Sequence, residues 1–345
     1  MRLISEQDIE RLIDPSMAIA TAIDAYRRHA AGDLPPPGRL DLPRQEPTGN
    51  VLVLAGHGAD GLFCVKSNVH VYPDPVSRQR KAASMMMLWD AVACRPVAWL
   101  STTGFNNHRT AAGLAAAADR LAPRDARALT VFGAGKIAPA VIRYLKTVRP
   151  LERIVIVGRG PARAAALAAR LKQQGDYAYC EVRAEADATS AVRDADIVVT
   201  ITTATQPVFP GDAVQRGALV ILAGANRPHA READDALMSR ATIYVDHRDG
   251  CLARAGDLAI PLATGRLAPT QIAAEIGLLW SEPEPAIPPA DVTVFKSIGV
   301  VAQDIALARA LVDRAETRGI GTDFDPDSGA VATAEHGAPR FARSS

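Results

Sequence analysis

The chain has 345 residues, with 39 Lys+Arg against 38 Asp+Glu and a formal net charge of +1. That balance argues against a general nucleic-acid or anionic-membrane binder, whose affinity rests on clustered cationic charge. A hydrophobic fraction of 48% and a charged fraction of 22% exclude global disorder, and the length predicts about two domains.

Residues 4–31 alternate charged and apolar residues at helical spacing and predict two short amphipathic helices. Asp14-Pro15 opens the second, because Pro is tolerated in a first helical turn. This segment has no uninterrupted apolar run of signal-peptide type, and nowhere is there a continuous apolar run of about 18 residues, so no membrane span is expected and the default location is cytoplasmic. A break follows at 32–38 with Pro35, Pro36 and Pro37 in a row. Residues 51–55, 62–71, 84–90 and 97–101 then read as strands without intervening helices, which predicts an antiparallel sheet. An Ala-rich helix is expected over 109–121.

From there the pattern alternates. Strands are expected at 128–132, 153–157, 178–182, 196–201, 218–223 and 242–246, with helices at 136–147 and 161–174. Continuous apolar strands alternating with helices predict a parallel sheet covered on both faces. A last helix is expected over 299–316, and the segment 321–345 lacks periodicity and is expected to be disordered. Cys64, Cys94, Cys180 and Cys251 stand too far apart in sequence to suggest a zinc site or a disulfide framework.

The strand 128–132 runs directly into Gly133-Ala134-Gly135-Lys136-Ile137-Ala138, which opens a helix. This is the G-x-G-x-x-A form of the dinucleotide fingerprint: one glycine for the tight turn, one for close approach to the pyrophosphate, and a small residue for helix–strand packing. The second strand ends in Gly158-Arg159-Gly160 with no acidic residue for a ribose 2′-hydroxyl, and Arg163 follows. An Arg suits a 2′-phosphate, so NADP(H) is favoured over NAD(H). Thr202 and Thr203 follow the strand at 196–201, where a loop passes near the nicotinamide ribose. Lys66 lies inside a predicted strand, an expensive place for a lone ammonium. Arg109 begins a helix, where its fork could clamp a carboxylate. From spacing alone each could equally belong to a structural ion pair. A basic cluster, Arg78, Arg80 and Lys81, could hold a second carboxylate or form a solvated turn.

KSNVH at 66–70, NHRTAA at 107–112, VFGAGKIA at 131–138, GANRPHARE at 224–232 and VTVFKSIG at 292–299 together resemble the ornithine cyclodeaminase/mu-crystallin family, over nearly the whole chain to about residue 316. The resemblance implies an α/β fold: a Rossmann dinucleotide-binding domain at 119–299, and an α+β substrate-binding and dimerisation domain at 1–118 completed by 300–320. It implies a homodimer acting on a small amino or imino acid, with no nucleic-acid or membrane partner. It places Arg39, Lys66 and Arg109 around the substrate carboxylate, with Arg44 competing in register with Arg39. It places Thr110, Lys296 and Ser297 with the residues of the fingerprint and of the Thr202–Thr203 loop on the cofactor. Asn226 stands where cyclodeaminases of the family carry a catalytic Asp. Asn hydrogen-bonds but takes no proton, so the resemblance favours an NAD(P)H-dependent imine reductase or amino acid dehydrogenase. The alternatives are an ornithine- or lysine-type cyclodeaminase, an opine-like synthase, and a non-enzymatic NADPH-binding protein of the crystallin type.

Overall fold

The computed structural model describes residues 1–34, 37–45, 48–59, 61–72 and 81–333. The chain divides into two compact units: Met1–Ala25, Gly32–Arg109 and the segment from Val301 onward form the first, Tyr26–Ala31 and Thr110–Val300 the second. The division falls inside a helix, between Arg109 and Thr110, earlier than the expected boundary at 118/119.

In the first unit β1 (Arg2–Ile4) leads into α1 (Glu6–Leu12) and α2 (Pro15–Ala30). Ser5 caps α1 with a reciprocal box: its hydroxyl accepts from Asp8 N and Asp8 returns to the Ser5 backbone. Five strands follow, β2 (Gly38–Arg44), β3 (Gly49–His57), β4 (Leu62–Val71), β5 (Lys81–Asp90) and β6 (Arg95–Ser101), then α3 (Phe105–Leu121). Strands β2 to β6 pair antiparallel in chain order, as the run of strands predicts, and β1 adds parallel to β6. β2 carries Pro43, which hid it from the sequence pattern; as the edge strand it has a side on which a missing N–H costs nothing.

Strand register puts Arg39, Leu54, Lys66, Met86 and Leu100 in one row on one sheet face. That face is covered by α10 (Val301–Arg318), which follows the second unit in sequence. The approach is close, since a Cβ on Gly56 would meet Val301 Cγ1 at 2.5 Å. The opposite face carries Leu40, Leu42, Val65, Val69 and Met85, all exposed in the single chain.

The expected disorder of 321–345 is corrected for its first part. β15 (Thr322–Phe324) pairs antiparallel with β1, and β16 (Val331–Thr333) with β15. The open edge of β1 offers main-chain partners, and Arg2 pairs with Asp323 across the strands at 3.0 Å. Such distant pairing leaves no local periodicity to read. Residues 334–345 lie outside the described residues.

The second unit is an eight-stranded parallel sheet. In chain order it runs β7 (Ala128–Phe132), α4 (Ala138–Val148), β8 (Arg153–Val157), α5 (Pro161–Lys172), β9 (Glu181–Glu185), α6 (Ala188–Arg193), β10 (Ile197–Thr200), β11 (Leu219–Leu222), α7 (Asp235–Arg240), β12 (Ala241–Val245), α8 (Arg248–Arg254), α9 (Gly256–Ala263), β13 (Ile272–Glu275) and β14 (Val292–Lys296). The spatial order is β13-β12-β14-β11-β10-β7-β8-β9. β7, β10 and β11 are buried at every residue, as a sheet covered on both faces requires. The chain winds outward from β7 through β8 to β9, then returns to β10 on the other side. The switch point of this doubly wound fold is therefore between β7 and β10, where such folds bind their ligands. The strand expected at 178–182 begins later, at Glu181, because a short 3₁₀ turn occupies Gly175–Tyr177. Among the described residues no helix is long and apolar enough to cross a membrane, and no group of His, Cys, Asp and Glu could hold a metal.

Candidate active site

The cradle at the switch point follows from its glycines. Gly133 has φ +115°, and a Cβ there would come within 2.7 Å of the Ile201 carbonyl oxygen. Only glycine tolerates both. Gly135 has no atom within 4 Å of its would-be Cβ, so a diphosphate meets bare backbone. Ala138 is fully buried against the sheet. Ile137 gives α4 no side-chain cap, so the first-turn N–H groups and the positive end of the helix dipole have no side-chain acceptor. These features fit a dinucleotide diphosphate. Ala134 and Ile137 are half-buried and Lys136 is exposed in the same turn. At the end of β8, Arg159 donates to Thr203 Oγ1 at 3.1 Å, which ties two of the predicted cofactor residues together at an exposed position.

The loops beyond β10 and β11 are fixed by a residue that sequence reasoning quoted but did not single out. Glu232, wholly buried, accepts from Thr200 Oγ1 at 2.8 Å, Thr202 N at 2.8 Å, Thr202 Oγ1 at 2.7 Å, Gly224 N at 2.7 Å and Ala225 N at 3.0 Å. Asp257 holds the Glu232 segment in turn, accepting from the backbone of Glu232 and Ala233 and pairing with Lys296 at 2.8 Å. Lys296 is wholly buried and also donates to the Ala225 carbonyl at 2.5 Å. Ser297 donates to Asp246 at 2.8 Å, and Asp246 also accepts from Ile298 N and Gly299 N. Lys296 and Ser297, expected on the cofactor, thus each donate to a buried carboxylate, Asp257 and Asp246. Asn226, carried on a loop so held, is exposed.

The first unit holds the second cluster. Lys66, 1% exposed, donates to Asp304 Oδ1 at 2.7 Å and to Asn106 Oδ1, and lies 5.5 Å from the Phe105 ring centroid. Arg109 Nε is 3.2 Å from the same Asp304 oxygen, within ion-pair range but off the line of a hydrogen bond. The Asn106 amide is oriented from behind: its Nδ2 faces Asn68 Oδ1 and Ser84 Oγ at 3.4 and 3.5 Å, and Ser84 bonds Asn68 and Thr102 at 2.5 and 2.6 Å. Burial pushes the Lys66 ammonium down from its ordinary range; Asp304 pulls it back and Arg109 pushes it further down. Burial alone would raise the Asp304 carboxyl, but Arg109 and Lys66 outweigh it and hold it below the usual carboxylate range.

Arg39 lies in the Lys66 row, two strands away on the edge, and its fork is taken up by Asp41 at 2.8 and 3.2 Å. The competitor Arg44 closes the same strand, paired in register with Gly49. Thr110, next to Arg109 on α3, is half-buried and belongs to the second unit. Arg78 and Arg80 lie outside the described residues, and Lys81 is the exposed first residue of β5. Asp304 and Asn106 were missed by sequence reasoning. A signal existed for Asp304: it interrupts the buried stripe Val301, Ile305, Ala308, Leu311 and Val312 on α10, and a buried charge on an apolar stripe demands a partner.

The sequence model of the ornithine cyclodeaminase/mu-crystallin family matches residues 1–319. A Delta(1)-pyrroline-2-carboxylate reductase of Bacillus cereus is 29% identical over 326 residues, covering 93% of this chain and 98% of its own. An uncharacterized cyclodeaminase of Sinorhizobium fredii is 30% identical, covering 94% and 99%. Among solved structures, the Thermococcus litoralis Delta(1)-pyrroline-2-carboxylate reductase in complex with NADH and L-proline superposes with a TM-score of 0.86 at 24% identity, covering 94% of this chain and all of that one.

Proposed function

The chain belongs to the ornithine cyclodeaminase/mu-crystallin family, and within it we propose that this protein is an NAD(P)H-dependent oxidoreductase reducing the C=N bond of a small α-imino acid. The observation that carries the reading is the gathering of Lys66 and Arg109 on the one buried carboxylate of Asp304, in a chain that also carries a dinucleotide cradle. When bound, the reduced nicotinamide supplies the hydride that converts C=N to CH–NH. The diphosphate is held by the backbone at Gly133 and Gly135 and the open end of α4. Arg109, 19% exposed, is the solvent-facing cation of its cluster and receives the substrate carboxylate. Lys66 lies deeper and holds a proton at Nζ for the imine nitrogen, so that hydride and proton together complete the amine. Burial of the ammonium keeps water from it and strengthens its field.

Three finer assignments go with this reading. Arg159, steadied by Thr203, favours NADP(H) over NAD(H) because its fork suits a 2′-phosphate. The uncovered sheet face, with Leu40 52%, Leu42 46% and Met85 47% exposed, suits a second copy of the chain, giving a homodimer. The four cysteines are all free, which agrees with a reducing, cytoplasmic setting.

A cyclodeaminase remains the second reading, favoured by the Sinorhizobium relative. Asn226 speaks against it, because an amide cannot accept the proton that an Asp would. The test is a panel of cyclic and linear α-imino acids followed at the NADPH absorbance, with ornithine and lysine assayed for ammonia. Imino acid reduction by the wild type, and its loss in Lys66→Ala with NADPH affinity retained, is the expected result. Ammonia release without net NADPH change supports the rival. Tight NADPH binding with no turnover across the panel points to a crystallin-like binder.

A further inference from the structure

The geometry points to Asp304 as the positioning residue of the carboxylate site: one oxygen pairs with the Lys66 ammonium and keeps the Arg109 guanidinium beside it. This rests on the reading of Lys66 and Arg109 given above.

The two cations are brought to Oδ1 of Asp304 from different elements, Lys66 from β4 and Arg109 from α3, at 2.7 and 3.2 Å. Asp304 itself is 2% exposed and comes from α10, 238 residues from Lys66 in sequence. Two cations this close in a dry interior repel, and burial by itself favours a neutral amine. The titratable groups around Lys66 are Asp304 from α10, Arg109 from α3 and the Cys64 thiol on its own strand. Cys64 is buried and its thiol is pushed up to about 12, so it stays neutral and offers no counter-charge. Asn106 accepts a hydrogen bond but carries none either. Asp304 is thus the counter-ion that keeps both cations in place. Two positive charges and one negative leave the cluster with a net charge of one, which a single substrate carboxylate neutralises.

A merely structural carboxylate would support folding without governing when the site loses its charge. The consequence is a pH limit on carboxylate binding set by Asp304. Removing the negative charge makes the ammonium easier to deprotonate, so the alkaline limb must move toward acid.

The experiment follows two readouts against pH on the full chain with NADPH bound. One is calorimetric affinity for pyrrole-2-carboxylate, an unreactive cyclic carboxylate; the other is kcat/KM for the imino acid reduced best. In Asp304→Asn the alkaline limb of both should move acid by about one pH unit or more, while NADPH affinity holds. Asp304→Glu should restore the limb with reduced kcat. A limb unmoved in Asp304→Asn overturns the inference. Should that variant fail to fold, Asn106→Asp carries the test from the other side of the ammonium: the limb should move toward alkali, and a limb that stays in place overturns the inference. Lys66→Ala separates the premises. Wild-type turnover and binding in Lys66→Ala overturn the reading of Lys66 and the inference with it; loss of both beside an unmoved limb in Asp304→Asn overturns the inference alone.

Discussion

Arg159 and Asp304 illustrate two ways for a side chain to govern a charge. Arg159 is exposed and held lightly by one hydroxyl, so its fork can turn to a ligand. Replacing it with Ser should weaken NADPH binding by about tenfold or more while leaving NADH nearly unchanged, read by fluorescence titration with both cofactors; equal losses for the two cofactors would remove the 2′-phosphate from its role. Asp304 acts from inside, through Lys66 and Arg109, and its effect is read as a pH limb. Lys66 could be singled out in the sequence because an ammonium inside an apolar strand violates the strand's own pattern. Asp304 could not be paired with it, since nothing local in the chain announces a partner 238 positions away.

At the level of elements, the cradle was legible because all its parts are contiguous: strand, glycine turn and helix follow one another, Gly133 has the positive φ of a tight turn and Gly135 has open space at its would-be Cβ. The loop beyond β10 was expected directly after its strand, but the group that shapes it and the loop beyond β11 was not identified. Glu232 lies inside the quoted GANRPHARE segment and reads there as one more charge in a polar stretch. Only the fold shows it gathering donors from Thr200, Thr202, Gly224 and Ala225. Glu232→Gln places an amide nitrogen among those donors and should cost about 2–5 kcal/mol of stability in urea unfolding, with cofactor affinity falling as the loops loosen. Unchanged stability would mean that the loops hold themselves. β2 and the paired strands β15 and β16 escaped for another reason: Pro43 masks the first, and the others exist through pairing with β1.

On the scale of the whole molecule, the first unit is split in sequence around the second, and α10 packs on the N-terminal sheet. The sheet is apolar on both faces, and α10 covers the face that carries Lys66. The outer face, with Val69 and Met85 among its exposed residues, is the one proposed above for a second copy. Putting Lys at both Val69 and Met85 should convert a dimer to monomers in sedimentation while leaving the monomer folded, because neither side chain belongs to the core. A dimer that persists in this double variant would place the interface elsewhere.

The clamp on the loops has a consequence for how such a protein diversifies. Glu232 and Asp257 set the course of the segment around Gly224 and Ala225 through backbone donors, so that course does not depend on the side chain at Asn226. Position 226 is exposed. On the proposed reading of Asn226, an amide could be exchanged for an acid there, and with it the proton chemistry on offer, without re-engineering the scaffold: the reaction type would become a replaceable part mounted on a fixed frame.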